Sequence, residues 1–146
     1  HHIARYVGLA GDKMKNLVID LDYTICTPYE NEDQVEDPAL KYSQAAPIPD
    51  VIKKICEYKK NGFHITIHTS RNMRTYNGDV SAIIKNTLPI ITEWLERHKV
   101  PYDAIVVGKP WCGNDGFYVD DKAIRPSEFR DLSYDQITEL LNKEKI

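Results

Sequence analysis

Long hydrophobic runs are missing from this 146-residue sequence, and no apolar stretch approaches the roughly 18 residues that a membrane-spanning helix needs. Basic residues form neither a stripe nor a Lys/Arg-rich amphipathic segment, which argues against a nucleic-acid surface and a membrane-surface helix. Internal repeats are absent as well. The 42% apolar and 28% charged residues, with a net charge of −3, are typical of one globular domain.

Cysteine is scarce, and the three residues Cys26, Cys56 and Cys112 show no metal-ligand spacing. This odd number predicts free thiols in a reducing cytoplasm. Cys26 lies close to an acidic stretch and has two interpretations, a thiol open to oxidation and a small buried apolar residue, of which the second is favoured. Residues 1–13, which begin with two histidines, are interpreted as a tag or vector-derived segment, and residues 14–146 as a single domain.

The rest of the sequence is organised around the apolar run Leu17–Ile19, which is followed by Asp20, Asp22 and Thr24. A continuous apolar run predicts a strand that is buried on both faces, as in a parallel sheet. The two carboxylates would then emerge at the carboxyl end of the strand, where open α/β sheets bind their ligands. Two carboxylates this close together usually share a cation or a proton.

Residues 27–48 form a long polar segment with five acids between Glu30 and Asp37 and with neither a helical nor a strand period. The segment leaves the strand at the two aspartates and exceeds an ordinary connection in length. We therefore predict a flap-like loop over the site, with a merely mobile loop as the alternative.

The remainder of the chain alternates between helical and strand patterns, which is typical of an α/β sheet. The predicted elements are a helix from Pro49 to Asn61, a strand over 63–68, either a kinked helix or two helices over 79–98 around Pro89, strands over 104–107 and 116–119, and a last helix with a capping box of Ser133 and Gln136.

Polar residues follow three of the predicted strands and would meet at one edge of a parallel sheet. They are Asp20 and Asp22, Thr69 and Ser70, and Asp120 and Asp121, with Lys109 near in sequence. Carboxylate oxygens without nearby cysteine or paired histidine favour Mg²⁺ over zinc. His64 and His68 share one strand face, but two isolated histidines are disfavoured as metal ligands.

These residue types fit phosphoryl transfer. An aspartate can attack phosphorus as a covalent nucleophile, and a second aspartate can donate a proton to the leaving oxygen. The hydroxyl of Thr69 and the ammonium of Lys109 can bind phosphoryl oxygens and offset developing charge. Arg71 and Arg74 follow Thr69 closely, and an arginine there can reach groups of the substrate beyond the scissile phosphate.

The sequence resembles the haloacid-dehalogenase (HAD) superfamily of phosphohydrolases, whose motifs occur in order across residues 17–121. They are Asp20-x-Asp22-x-Thr24, a strand ending in Thr69-Ser70, Lys109 within Gly108-Lys109-Pro110, and Tyr118-Val119-Asp120-Asp121. In particular, the chain resembles the small capless HAD proteins that are labelled capsular polysaccharide biosynthesis phosphatases. Those proteins typically have Thr-Ala-Arg in place of Thr69-Ser70-Arg71, and a shorter linker than residues 111–116.

The resemblance implies a Rossmann-like, HAD-type, three-layer α/β/α sandwich with a mainly parallel sheet and no large cap domain. It implies that Asp20 is the nucleophile and a metal ligand, and that Asp22 is the general acid/base and lends its carbonyl to the metal. Phosphoryl and substrate binding fall to Thr69, Ser70, Arg71 and Lys109. Asp120 and Asp121 are the remaining metal candidates, with Asp121 favoured.

The predicted function is that of a Mg²⁺-dependent phosphomonoester hydrolase that forms an aspartyl-phosphate, with a sugar or polyol phosphate as the implied substrate. One alternative is a receiver-like domain that only accepts phosphate; there, however, the phosphorylated aspartate ends the third strand, whereas Val107-Gly108 stand here. A degenerate scaffold and a nucleic-acid end phosphatase are further alternatives, and the acidic segment argues against a polyanionic substrate. Neither a nucleic-acid nor a membrane partner is expected, and the sequence leaves open whether the protein forms a homo-oligomer.

Overall fold

The structure, a computed structural model, describes residues 15–28 and 38–145, with side chains from residue 41 onward in the second range. It separates into a first compact unit that ends at Trp111 and a second that begins at Cys112. The interpreted tag over residues 1–13 and the central part of the predicted flap, residues 29–37, lie outside the described residues.

The first unit contains the sheets and four of the helices. Its elements are β1 (Asn16–Ile19), β2 (Cys26–Thr27), α1 (Pro38–Ser43), β3 (Ala46–Pro47), α2 (Pro49–Lys60), β4 (His64–His68), α3 (Val80–Asn86), α4 (Leu88–Arg97) and β5 (Ala104–Val106). The second unit contains α5 (Pro126–Asp131) and α6 (Tyr134–Asn142).

The main sheet has three strands in the order β1-β4-β5, and both of its pairings are parallel. Helices separate these strands along the chain and flank the sheet, because parallel neighbours need a long crossover connection. This arrangement confirms the prediction of a Rossmann-like α/β fold with a parallel sheet. A second, antiparallel pair joins β2 to β3, with Cys26 opposite Pro47.

The innermost strand of the main sheet is β4, as its alternating pattern predicts. Ile65 and Ile67 are fully buried, whereas the histidines at both ends of the strand are half-buried. Ile105 of β5 is also fully buried beside them. A strand paired on both sides and covered by helices places its apolar alternate residues in the core.

The prediction that the first strand is buried on both faces is wrong. Val18 is 60% exposed, and the strand buries Ile19 at its end. Among the described residues β1 pairs with β4 alone, so it lies at the edge of the main sheet. An apolar run indicates hydrophobicity but not the number of neighbours that a strand acquires, and here the described residues leave Val18 uncovered.

The helices follow the sequence pattern closely. The bounds of α2 agree with the predicted start at Pro49 and end at Asn61. Around Pro89 the structure has two helices, which settles the alternatives left by the sequence. Thr87 separates them, and Pro89 lies in the first turn of α4, where its missing N–H removes no helical hydrogen bond.

Residues 27–48 were predicted to lack regular structure, and this part of the prediction is wrong for the described residues. The segment contributes to the β2–β3 pair at both ends and contains α1. The helix starts at Pro38, and proline is favoured at a first helical position because its φ angle is already fixed. Such short elements leave no readable period in the sequence.

The second unit contradicts the predicted strand over 116–119. Phe117 and Val119 are 78% and 87% exposed, and the segment has no strand pairing. The last helix is confirmed: Ser133 accepts a hydrogen bond from Gln136 N at 3.2 Å, and the Gln136 side chain accepts from Ser133 N at 2.9 Å. Helix α5 was not predicted. Across the described parts of both units, no helix has the length and apolar character needed to cross a bilayer.

Candidate active site

The carboxyl ends of the three parallel strands bring together Asp20, Thr69 and Lys109. Residues 19, 67 and 105 lie level across the sheet, so the three strands end at one edge. Thr69 N donates to Val106 O at 3.0 Å, and Lys109 N donates to Thr69 O at 3.1 Å. The side chains of Asp20 and Lys109 meet as well, since Lys109 Nζ lies 3.8 Å from Asp20 Oδ1.

A tight turn after Asp20 returns the chain towards the sheet edge. The carbonyl of Leu21 accepts hydrogen bonds from the N–H groups of residues 24, 25 and 26, at 3.2, 2.8 and 3.3 Å. Tyr23 adopts a left-handed φ of 64°, and its N–H donates to Cys26 O at 2.7 Å. Thr24 is buried and its hydroxyl reaches Asp20 Oδ2 at 3.4 Å. The predicted motif residues therefore form one compact loop.

The carboxylate of Asp20 is incompletely compensated. Burial raises its pKa above the ordinary value of 3.8, and Lys109 is the main opposing influence. Asp22 adds to the increase, whereas the Leu21 N–H and the Thr24 hydroxyl lower the pKa. A partly buried carboxylate with this balance has room for a further positive charge.

Asp22 and Arg71 form a bidentate ion pair at the same edge. Arg71 Nε lies 3.0 Å from Asp22 Oδ2, and Nη2 lies 2.7 Å from Oδ1. The arginine side chain is 1% exposed and the aspartate side chain 19% exposed. The guanidinium also stacks on Tyr42, with Cζ 4.3 Å from the ring centroid. The structure thus places Arg71 inside the site, while Arg74 is exposed.

Thr69 and Ser70 directly precede Arg71 in the chain, and Gly108 precedes Lys109. Thr69 is buried, and its hydroxyl oxygen accepts from Arg71 N at 3.0 Å. Ser70 is half-buried, and its carbonyl accepts from Met73 N at 3.0 Å. Gly108 has a φ of +86°, which lets the chain turn immediately before Lys109.

Cys26 is fully buried beside Asp22, with Sγ 3.4 Å from Asp22 Oδ1. Burial raises the pKa of this thiol to about 12, and the carboxylate of Asp22 contributes to the increase. The thiolate is the reactive form of cysteine, so this residue is an inert, neutral thiol. All three cysteines are free.

His68 is a site residue to which the sequence analysis gave no role. It precedes Thr69, and the pairing of Ile19 with Ile67 places it level with Asp20. Burial lowers the pKa of His68, and the charge of Lys109 lowers it further. Both influences favour the neutral imidazole. Its position just before a polar strand end is the signal that could have drawn attention to it.

Asp120 and Asp121 belong to the second unit, where both are exposed. They do not follow a strand, and Asp120 Oδ1 accepts from Lys122 N at 2.8 Å in a local turn. Within the described part of the first unit, no three His, Cys, Asp or Glu side chains gather as a metal-ligand group. The metal-binding role of the acidic pair stays a prediction.

Comparison with solved structures identifies a relative in Vibrio cholerae. A crystal structure described as an MCSG target from that organism is 52% identical to this chain, with a TM-score of 0.80. The match covers 90% of this chain and 100% of that one. The chain belongs to the same family as this Vibrio cholerae protein. The description of that relative names no activity.

Two structures of a Pnkp1/Rnl/Hen1 complex, one described as an RNA repair complex, also match, at 18% identity and TM-scores of 0.46 and 0.45. The matches cover 83% and 95% of this chain but 36% and 34% of those chains. Similarity at this level carries no argument about function. No family model and no curated protein matches the chain.

Proposed function

We propose that the protein is a Mg²⁺-dependent phosphomonoester hydrolase of the HAD type that works through an aspartyl-phosphate. One observation carries this proposal: a carboxylate and an ammonium meet at the carboxyl edge of the parallel sheet, where a hydroxyl-bearing residue follows the neighbouring strand. These groups belong to Asp20, Thr69 and Lys109, and Lys109 lies 3.8 Å from Asp20. A second carboxylate, Asp22, stands two residues further on.

The donor atoms of the first unit fit a magnesium ion. Asp20 offers a carboxylate whose charge Lys109 only partly compensates. The family resemblance adds the backbone carbonyl of Asp22 as a proposed ligand. Mg²⁺ commonly takes one or two carboxylates, keeps several waters and binds substrate phosphate. When bound, Mg²⁺ would neutralise charge on the phosphoryl group. Asp121, with Asp120 as the alternative, is the proposed additional ligand.

In the proposed reaction a carboxylate oxygen of Asp20 attacks phosphorus, and the bond from phosphorus to the leaving oxygen breaks. Asp22 gives a proton to that oxygen and the alcohol departs. Asp22 then takes a proton from water, which attacks the aspartyl-phosphate and releases inorganic phosphate and Asp20. Thr69 and Lys109 hold the phosphoryl oxygens throughout.

For the substrate we propose a sugar or polyol phosphate, in keeping with the resemblance to capless capsule-biosynthesis phosphatases. Because the resemblance implies a protein without a large cap domain, we propose that residues 27–48 or a second subunit cover the substrate. We also propose a reducing, cytoplasmic location, which the three free thiols support.

The decisive experiment measures phosphate release from a panel of sugar, polyol and aryl phosphates, together with a 3′-phosphorylated oligonucleotide, in the presence of Mg²⁺. We expect steady turnover of a small phosphomonoester and none with the Asp20→Asn variant, because an amide is a poor nucleophile. A single phosphorylation event without turnover would indicate a receiver-like domain. Preference for the oligonucleotide would show that the substrate is a nucleic-acid end and not a small molecule. Full activity in Asp20→Asn would show that Asp20 is not the nucleophile.

Magnesium binding has a separate test that does not depend on activity. A ligand that binds only the folded state raises the melting temperature. We therefore expect Mg²⁺ to raise the melting temperature of the wild-type protein, and to raise that of Asp20→Asn much less. An identical melting curve with Mg²⁺ and with a chelator would remove the metal from the proposal.

A further inference from the structure

Arg71 is buried, with 4% of its surface exposed, and directs two of its nitrogens at Asp22. Resting on the phosphatase function proposed above, we propose that Arg71 is a positioning residue. It holds the carboxylate of Asp22 in one plane, so that Oδ2 is presented to the leaving oxygen for proton transfer. The substrate-binding role expected from the sequence would then not apply to this residue.

The hydrogen bonds of Asp22 single out one of its two oxygens. Among the described residues, Oδ1 accepts from Arg71 Nη2 at 2.7 Å and from Cys26 Sγ at 3.4 Å. Oδ2 accepts from Arg71 Nε alone, at 3.0 Å. Each carboxylate oxygen has two lone pairs, so Oδ2 keeps capacity for a proton. A bidentate pair fixes orientation as well as distance, which proton transfer requires.

The guanidinium is itself held from several sides. The ring of Tyr42 lies 4.3 Å from Cζ, and Cys26 Sγ lies 3.8 Å from Nη2. The backbone N–H of Arg71 donates to the hydroxyl of Thr69 at 3.0 Å. This last contact connects the proposed phosphoryl-binding residue to the residue that orients Asp22. Packing and hydrogen bonds of this kind keep a catalytic group near its working geometry.

The same contacts argue against Arg71 as a substrate-binding residue. Bidentate recognition of a carboxylate or a phosphate uses two nitrogens on one edge of the guanidinium. The edge formed by Nε and Nη2 is already occupied by Asp22. The remaining nitrogen, Nη1, is buried and has no hydrogen-bond partner in the described part of the chain.

A leaving-group series separates these roles. Phenyl phosphate and p-nitrophenyl phosphate are similar in shape, but the phenolate of the first needs more help from a proton donor. We expect Arg71→Met to lower kcat/KM for phenyl phosphate by about 100-fold and for p-nitrophenyl phosphate by less than about 10-fold. KM should change little. Asp22→Asn should show the same dependence, and Asp22→Asn/Arg71→Met should lose no more than Asp22→Asn alone.

Arg74 provides the matched control, because it lies exposed on the same loop. Arg74→Met should change kcat/KM for the two aryl phosphates by the same factor, with no leaving-group dependence. Arg71→Lys keeps the buried charge but loses the bidentate contact, so it should show the same leaving-group dependence if Arg71→Met does not fold. Tyr42→Leu removes the ring on which the guanidinium stacks, so it should show a weaker leaving-group dependence.

The outcomes distinguish failure of the positioning role from failure of the proposed function. Equal losses on both aryl phosphates would show a purely structural role for Arg71 and would overturn the positioning proposal while leaving the phosphatase function intact. A raised KM with an unchanged kcat would show that Arg71 binds the substrate, and would also overturn the positioning proposal. Absence of any wild-type turnover would overturn both proposals.

Discussion

Asp103 directly precedes β5, and its carboxylate connects α2 and β4 to this strand. Lys109 follows the other end of the same strand. Lys59, in the last turn of α2, places Nζ 2.8 Å from both carboxylate oxygens. Ile65 N donates to Asp103 Oδ2 at 2.8 Å, and Asp103 N donates to Ile65 O at 2.8 Å. These bonds extend the pairing of β4 with β5 by one step. We therefore expect Asp103 variants to lose stability.

The size of the loss follows from what each variant removes. Asp103→Ala leaves the partly buried N–H of Ile65 without an acceptor, which costs about 1–3 kcal/mol. It also removes an ion pair that is 43% exposed at the lysine and 28% exposed at the aspartate. Such pairs contribute about 0.2–1 kcal/mol. We expect Asp103→Ala to lower the free energy of unfolding by about 2 kcal/mol, and Asp103→Asn, which keeps an acceptor, by about 1 kcal/mol.

The ion pair also predicts a pH dependence. Burial would raise the pKa of Asp103, but the hydrogen bonds from Lys59 and Ile65 N outweigh it, and the pKa lies below the ordinary value of 3.8. Because the folded pKa is the lower one, the stabilisation is complete above the unfolded pKa. It is lost as the pH falls through the folded pKa. The advantage of the wild type over Asp103→Asn should therefore shrink below a pH of about 4.

Urea unfolding followed by circular dichroism measures these differences, at neutral pH and well below 3.8. Lys59→Met is the matched control, since it removes the ion pair but keeps the acceptor for Ile65, and it should cost at most about 1 kcal/mol. The reasoning fails if Asp103→Ala costs less than Lys59→Met. It also fails if the difference between wild type and Asp103→Asn is the same at both pH values.

Two further predictions concern the loops beside the site. Thr87 is 2% exposed and its hydroxyl donates to Asn72 Oδ1 at 2.7 Å. Thr87→Val should therefore lower the free energy of unfolding by about 1–2 kcal/mol, and Thr87→Ser, which keeps the hydroxyl, should lower it less. Equal losses in urea unfolding would exclude the hydrogen bond as the cause. Gly108 has a φ of +86°, and an added Cβ would lie 3.1 Å from Val80 Cγ2. Gly108→Ala should therefore lower the free energy of unfolding by about 1–2 kcal/mol in the same measurement. An unchanged urea midpoint would show that the turn relaxes.

The local elements of this protein could be predicted from the sequence because their causes lie within a few residues. The alternation around Ile65 and Ile67 predicts β4, and the capping box of Ser133 and Gln136 predicts the start of α6. The polar strand ends at Asp20 and Thr69 predicted the edge at which these residues meet. Parallel strands force that meeting, whatever the details of packing.

The tertiary structure alone decided which groups pair and which strands have neighbours. The sequence predicts that Arg71 is available to bind substrate, yet in the structure its partner is Asp22, which lies 49 positions away. The sequence predicts that Val18 is buried, but the structure exposes it. It also predicts a strand over the apolar segment 116–119, which has no strand pairing in the structure. Hydrophobicity and charge are properties of one residue, whereas burial and ion pairing are properties of two segments that the chain brings together only on folding.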